Sequence, residues 1–393
     1  MSKKISLGAA IGLIALAIAL TVSVTMTASS KIYNSLLKYL PEKIQTYSKL
    51  EEIRSIVENS FYGSTDSDRI DAAVAQGFIG GLGDKYSKYM TADEYSDYSA
   101  RIKGQMTGIG ISYSRSGDNI KIDEVYEGSP AQISGLEAGD VIVAFDSEAI
   151  TSDNYDDMLL KLNGDTLSTV NLTYRRNKET EKTVSVPKDY EAQSVTSHAN
   201  NQLGYIKISD FYSTTAEQVK TVLDKFISQG ATGLILDLRG NSGTNFAAAA
   251  DVVNLFVPLA EGSGAIAEIK KGDVTVDSFP STSNSVSVPV VVIVNKKTLG
   301  GAEFLACELR ASGNAEIIGT KTVGMGIAQE VFELSDGSAL LLSVGEIIPY
   351  KSKSFNKVGI EPDHTVEEAK KVKDISEDPV YLYAVSILTQ SDS

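Results

Sequence analysis

Histidine and cysteine, two common carriers of nucleophilic chemistry, are scarce in this 393-residue chain. There are two histidines, His198 and His364, and one cysteine, Cys307. A His-based triad or a His-rich zinc site has almost nothing to be built from. A lone cysteine excludes an internal disulfide framework and a cysteine-rich metal site. The segment "VNKKTLGGAEFLACELRASG", starting at Val294, runs from an apolar strand-like stretch through a turn into a helix-like stretch. Its turn holds Lys296, Lys297 and Thr298, and Lys321 follows in "GTKTVGMGIAQ", which starts at Gly319. A hydroxyl such as that of Thr298 is a weak nucleophile until a base within hydrogen-bond reach takes its proton. A lysine is such a base only when burial keeps it neutral. Lys296 and Lys297 read as solvated turn residues. Cys307 reads as a buried apolar residue one to two turns into the helix, and both histidines as surface or packing residues.

The elements around this turn change texture along the chain. Residues 1–30 carry Lys3 and Lys4 and then no charge until Lys31. About 20 apolar residues span a bilayer, so residues 5–28 are expected to form a single uncleaved membrane anchor. Its lysines stay cytoplasmic and the rest lies outside, in a bacterial-type cell membrane. Residues 31–103 read as helical, with Gly63 as a stop and a capped start at Ser64 or Thr65. From residue 104 to 190 short alternating runs broken by glycine signal strands. From 191 to 370 strands alternate with helices: "LGYIKIS", "TTAEQVKTVLDKFISQG", "TGLILDL", "FAAAADVVNLFV", "VPVVVIVN", "GAEFLACELRASG". Apolar runs of this kind suit an α/β core covered on both faces, and residues 371–393 read as a helical tail. The formal net charge of −15 leaves no basic surface to neutralise phosphates, which argues against nucleic acid as a partner.

Gly108-Ile109-Gly110-Ile111, Gly128-Ser129-Pro130-Ala131, Gly135-Leu136 and Gly139-Asp140-Val141-Ile142 together resemble a PDZ domain. In such a domain the first four, Gly108, Ile109, Gly110 and Ile111, receive a peptide C-terminus: glycines let N–H groups converge on a carboxylate, and the next strand edge accepts an added strand. With "GYIKISDF", "GLILDLRGNSG", "VNKKTLGGAE", "GTKTVGMGIAQ" and "VGIEPDHTVE" behind it, the chain resembles the carboxyl-terminal processing (tail-specific) serine peptidases over residues 50 to 365. The resemblance implies an α/β core of that type with an inserted PDZ domain (α+β) and an N-terminal helical region after the anchor. It also implies a dimer or higher oligomer, and neither metal nor cofactor.

That family places a serine in a pattern like N-x-G-S-A-S-A-S-E and a general-base lysine in T-F-G-K-G-x-x-Q. Asn295 and Glu303 match the ends of the first pattern, and the nucleophile position falls on Gly300. Thr322, Gly324, Gly326 and Gln329 match the second, and the lysine position falls on Met325. The family's N-P-G-G run is here Asn241-Ser242-Gly243-Thr244, and the alanine before the nucleophile is Leu299. Gly243 and Gly301 are the candidate oxyanion donors, and Gln329 is a retained hydrogen-bonder. The expectation is a pseudopeptidase that binds peptides or protein C-termini without cutting them. The competing expectation is an endopeptidase with a substitute nucleophile such as Thr298.

Overall fold

The structure, a computed structural model, describes residues 40–393 and Thr21, Thr25, Met26 and Ser29, apart from short segments at 107, 127–128, 164–168, 178–179, 189, 192, 244, 259–263, 283–285, 287, 370–371, 373 and 391–393. The anchor expected over 5–28 lies, but for Thr21, Thr25 and Met26, outside these residues. Among the described residues no helix is long and apolar enough to cross a membrane. The chain divides into two units, residues 1–74 and 75–393.

The first unit holds helix α1 (Leu40–Ser60), and α2 (Ser67–Gly80) starts near its end. The start of α2 corrects the sequence expectation. Asp66, not Ser64 or Thr65, accepts the N–H groups of Asp68 and Arg69 at 3.1 and 3.2 Å, which satisfies donors left open at a helix start.

Further on, the expected all-helical region contains a strand, β1 (Lys88–Met90), followed by α3 (Ala92–Ile102) with a Thr91/Glu94 capping box. β1 pairs with a distant strand of the core, Lys88 opposite Leu341. Three residues between helices carry too little periodicity to be read as a strand.

The inserted domain is entered by β2 (Gln105–Met106), which pairs with its exit, β9 (Tyr190–Glu191). Between them lie β3 (Ile111–Ser116), β4 (Asn119–Val125), the short α4 (Pro130–Ile133), β5 (Val141–Phe145), β6 (Glu148–Ala149), α5 (Tyr155–Asn163), β7 (Thr169–Arg175) and β8 (Lys182–Pro187). The "SPA" motif makes α4 directly: the Ser129 hydroxyl accepts from Gln132 N–H and Pro130 takes the first turn, where no N–H is needed. The sheet order is β3-β4-β5-β7-β8, so β3 is an edge strand. Ile120, Ile122, Ile142, Phe145, Val170 and Leu172 form a fully buried core beneath it.

The core sheet has the order β10-β11-β12-β15-β16-β19, from β10 (Val195–Asn200), β11 (Leu203–Ile208), β12 (Gly233–Asp237), β15 (Val290–Val294), β16 (Ala315–Gly319) and β19 (His364–Thr365). All but β10 run parallel. Every residue of β12 and β15 is buried, as apolar runs covered on both faces require. Period-two alternation divides them. Leu234, Leu236, Val290 and Val292 face α6 (Thr215–Ser228), α7 (Phe246–Phe256) and α8 (Gly301–Ala311). Ile235, Val291 and Ile293 face the C-terminal α9 (Pro379–Gln390) through Val380, Tyr381 and Ala384.

A second sheet joins β13 (Ala265–Lys271), β14 (Val274–Pro280), β17 (Ile327–Glu333) and β18 (Ala339–Pro349) to β1. It completes one wall of the cleft described next.

Candidate active-site cleft

Three loops leave the carboxyl ends of the neighbouring parallel strands β12, β15 and β16, the place where α/β sheets form ligand sites. They are residues 238–245, 295–300 and 320–326. Asn295 fastens the first two: its Oδ1 accepts from Gly240 N at 3.1 Å and from Lys297 N at 3.0 Å. Thr298 fastens them from beneath. It is fully buried, its Oγ1 donates to Leu238 O at 2.9 Å and accepts from Asn295 N at 3.0 Å. The hydroxyl named as a substitute nucleophile therefore serves the turn, and Thr298 is not among the residues that line the cleft.

Glu303 joins the second loop to the third. Its carboxylate, buried at the start of α8, accepts Gly300 N at 3.1 Å and Met325 N at 2.8 Å on Oε2. On Oε1 it accepts Gly324 N at 2.6 Å and the Thr322 hydroxyl. Burial pushes the carboxyl above its ordinary range, and these four donors pull against that rise. One side chain thus holds together the two positions expected to bear the dyad.

Those positions meet in one cavity of about 240 Å³, lined by Tyr86, Ser242, Gly243, Leu299, Gly300, Gly301, Met325 and Gln329 among others. Gly300 has no side chain to present, and the nearly buried Met325 presents a thioether that cannot take a proton. The two candidate oxyanion donors point inward. Gly243 N–H donates to Asn241 Oδ1 at 2.8 Å, and Gly301 N–H faces Gly243 O at 3.4 Å. Gln329 Nε2 donates to Tyr86 O at 2.7 Å, which ties the cleft wall to the segment before β1. Thr244 lies outside the described residues.

Two cavity residues were not picked out for their chemistry from the sequence. Tyr86 sits in a region read as helical and featureless. Ser242, in sequence only a departure from N-P-G-G, brings the cavity an aliphatic hydroxyl, which donates to Asp210 Oδ2 at 3.1 Å. Arg101 holds the same carboxylate at 3.2 Å.

The other candidates lie elsewhere. Lys321 pairs with Glu361 at 2.6 Å, Lys296 and Lys297 are exposed, and burial drives the Cys307 thiol far upward. His198 stacks on Tyr205 with centroids 4.4 Å apart, and burial lowers its pKa. His364 meets Glu316 at 3.0 Å.

In the inserted domain Gly108 and Gly110 take φ of +83° and +78°, a region open to glycine, and lead into the edge strand β3. Ile109 is 2% exposed and belongs to the domain core, so it can offer a ligand its backbone but no side-chain surface. Its carbonyl accepts from Ala131 N at 2.9 Å and that of Gly110 from Tyr126 N at 3.0 Å, which fixes the loop.

Gly300 adopts φ 60°, ψ −121°, and a Cβ there would lie 3.2 Å from Gly243 O and 3.5 Å from Ser242 O. A sharp, strained turn of this kind, between strand and helix, is where α/β hydrolases carry an exposed nucleophile. Gly300→Ser alone is expected to lower stability by about 1–3 kcal/mol and to yield no hydrolysis, because the described residues lining the cavity include no lysine, histidine or carboxylate to act as base. A urea titration and an overnight peptide digest check both halves; cleavage by this single variant would show that a base does reach residue 300.

Comparison with known proteins agrees with this architecture. Residues 202–366 match the model of peptidase family S41, and residues 107–187 that of the PDZ domain. The carboxy-terminal processing protease CtpA of Bacillus subtilis (strain 168) is 29% identical over 323 residues, 82% of this chain and 69% of that protein. A protein of Staphylococcus aureus (strain N315) named "Probable CtpA-like serine protease" is 26% identical over 323 residues, 82% of this chain and 65% of its own length. The chain thus spans about two thirds of the length of these curated relatives. A solved S41-type protein from Bacteroides fragilis NCTC 9343 superposes with a TM-score of 0.53 at 18% identity, over 80% of this chain and 90% of its own, which bears on the fold alone. With relatives aligned over 82% of the chain's length, residues 202–366 are identified as an S41 peptidase core and residues 107–187 as a PDZ domain.

Proposed function

We propose that this protein is a membrane-anchored, extracytoplasmic S41 homologue that binds extended peptides or protein C-termini without hydrolysing them. The observation that carries the reading is the lining of the cleft cavity. Where an acyl-transfer site needs a hydroxyl, a neutral amine and open N–H donors, this cavity has Gly300, Met325 and two N–H groups already engaged. Among the described residues its one aliphatic hydroxyl, on Ser242, donates a hydrogen bond to a carboxylate already paired with Arg101.

Binding has better support than chemistry. The PDZ loop ends in an unpaired strand edge, suited to strand addition by a chain end. Next to the cleft cavity lies a larger one of about 770 Å³, sharing Phe246, Ala328 and Gln329 with it and walled by Tyr98, Phe279 and Leu342. The charge pattern of residues 1–30 supports the anchor and its orientation. Exposed Ile53 and Ile56 on α1 support self-association as a dimer or higher oligomer.

The test is incubation of the full-length chain in detergent with an unstructured protein, followed by mass spectrometry over hours. No new termini and no labelling by serine-directed acylating reagents are expected. A free-carboxylate peptide is expected to bind more tightly than its amidated form. Turnover in pure material that vanishes in Ser242→Ala or Thr298→Ala would replace this reading with that of an active peptidase.

A further inference from the structure

The PDZ groove has two ends, and the far end carries a charge. At the near end a Cβ on Gly108 would lie 3.8 Å from Leu162 O, in the last turn of α5. At the other end the guanidinium of Arg115, on β3, lies over the ring of Tyr155, the first residue of α5, at 4.2 Å. Strand and helix therefore run antiparallel with the groove between them. From Ile111 to Arg115 the strand rises about 13 Å at ~3.3 Å per residue, enough to face five residues of an added strand.

Alternation decides which of those residues meets the guanidinium. Along β3, Ile111 and Tyr113 pack against the domain core, and Arg115 continues the same face. Directly opposed residues of an antiparallel pair put their side chains on the same face, close enough to interact. A chain end held at Gly108–Ile111, with its last residue opposite Ile111, places its third-last residue opposite Tyr113 and its fifth-last opposite Arg115. Nε of Arg115 donates to Gly117 O at 3.0 Å, and among the described residues no carboxylate forms an ion pair with it. Its remaining N–H groups lie on an exposed side chain at the mouth of the groove.

We infer that Arg115 is a specificity residue that selects protein C-termini with aspartate or glutamate at the fifth position from the end. This rests on the proposal that the PDZ groove binds chain ends, and it names the class of chain end. An acidic side chain there forms a cross-strand pair with the guanidinium, and a lysine there meets like charge.

The experiment uses the full-length chain in detergent and fluorescent decapeptides with free C-termini, identical except for Glu, Ala or Lys at the fifth-last residue. The wild type is expected to bind Glu about two- to fivefold more tightly than Ala, and Lys more weakly than Ala, with the spread shrinking at high salt. Arg115→Gln removes the spread, and Arg115→Glu inverts it in favour of Lys; both changes are at an exposed position. Tight binding of all three peptides without a Glu preference, or a preference that survives in Arg115→Gln, overturns the assignment while leaving chain-end binding intact. No binding of any peptide by the wild type overturns the binding reading itself and this inference with it.

Discussion

Glu303→Ala should cost the native state about 4 kcal/mol or more, the largest single-residue effect expected at the cleft. The change removes one acceptor and leaves the N–H groups of Gly300, Gly324 and Met325 and the Thr322 hydroxyl buried without it. Each stranded donor costs about 1–3 kcal/mol, and partial relaxation or a trapped water recovers some of that. Glu303→Gln keeps the shape but turns an NH₂ group toward donors, so it should fall between. There is also a pH signature. Burial holds this carboxyl above its unfolded value, so between the two pKa values the native state binds more protons and stability falls as pH rises. The increment is fully present below the unfolded pKa and absent above the folded one; Glu303→Gln should lack it. Urea unfolding followed by circular dichroism at several pH values measures both. A Glu303→Ala unfolding free energy within about 1 kcal/mol of wild type would show that the three loops hold together without it.

Arg239→Met should be nearly as damaging, for an electrostatic reason. Arg239 grips Asp237 at the end of β12 through Nε at 3.0 Å and Asp378 ahead of α9 through Nη2 at 2.6 Å, and both carboxylates are buried. Tyr205 also donates to Asp237 at 2.8 Å, and burial raises the pKa of that phenol, so it stays a donor across the working pH range. Removing the cation leaves two desolvated anions, a loss of about 3–5 kcal/mol. Asp378 Oδ1 also accepts Val380 N at 3.0 Å at the head of α9, so the helix should loosen from the sheet before the rest unfolds. Hydrogen exchange over Pro379–Gln390 reads this directly. Unchanged protection there in Arg239→Met would assign the docking of α9 to Val380, Tyr381 and Ala384 alone.

Most of the frame could be read from the chain because its signals are local. The fully buried β12 and β15 announce themselves as apolar runs, and α6 buries Val219, Leu223 and Phe226 at the spacing of one helix face. Gly230, at φ +80°, stops it where the sequence suggested. Gly300, Met325, Gln329, Gly243 and Gly301 could be placed in one cleft because the order of the motifs is legible even where single residue types depart from them. What stayed hidden depends on long-range pairing. β1 is only a strand because residues 339–341 lie beside it, more than 200 positions away. The engagement of the Gly243 N–H by Asn241 and of the Thr298 hydroxyl by Leu238 is a matter of orientation within a turn, and residue type carries no trace of that.

The turn at Gly300 has a historical consequence. It keeps φ 60° and ψ −121° although no side chain there needs presenting, because Asn295, Thr298 and Glu303 hold it from outside. At such a backbone glycine is the unstrained choice and any L-residue carries about 1–3 kcal/mol of strain. On the proposed non-hydrolysing reading, a lineage that exchanged a serine for this glycine gained stability as it gave up the hydroxyl. The way back is uphill: a serine would bring strain at once and no activity until a second change supplied a base. Natural selection acting one substitution at a time meets a ratchet here.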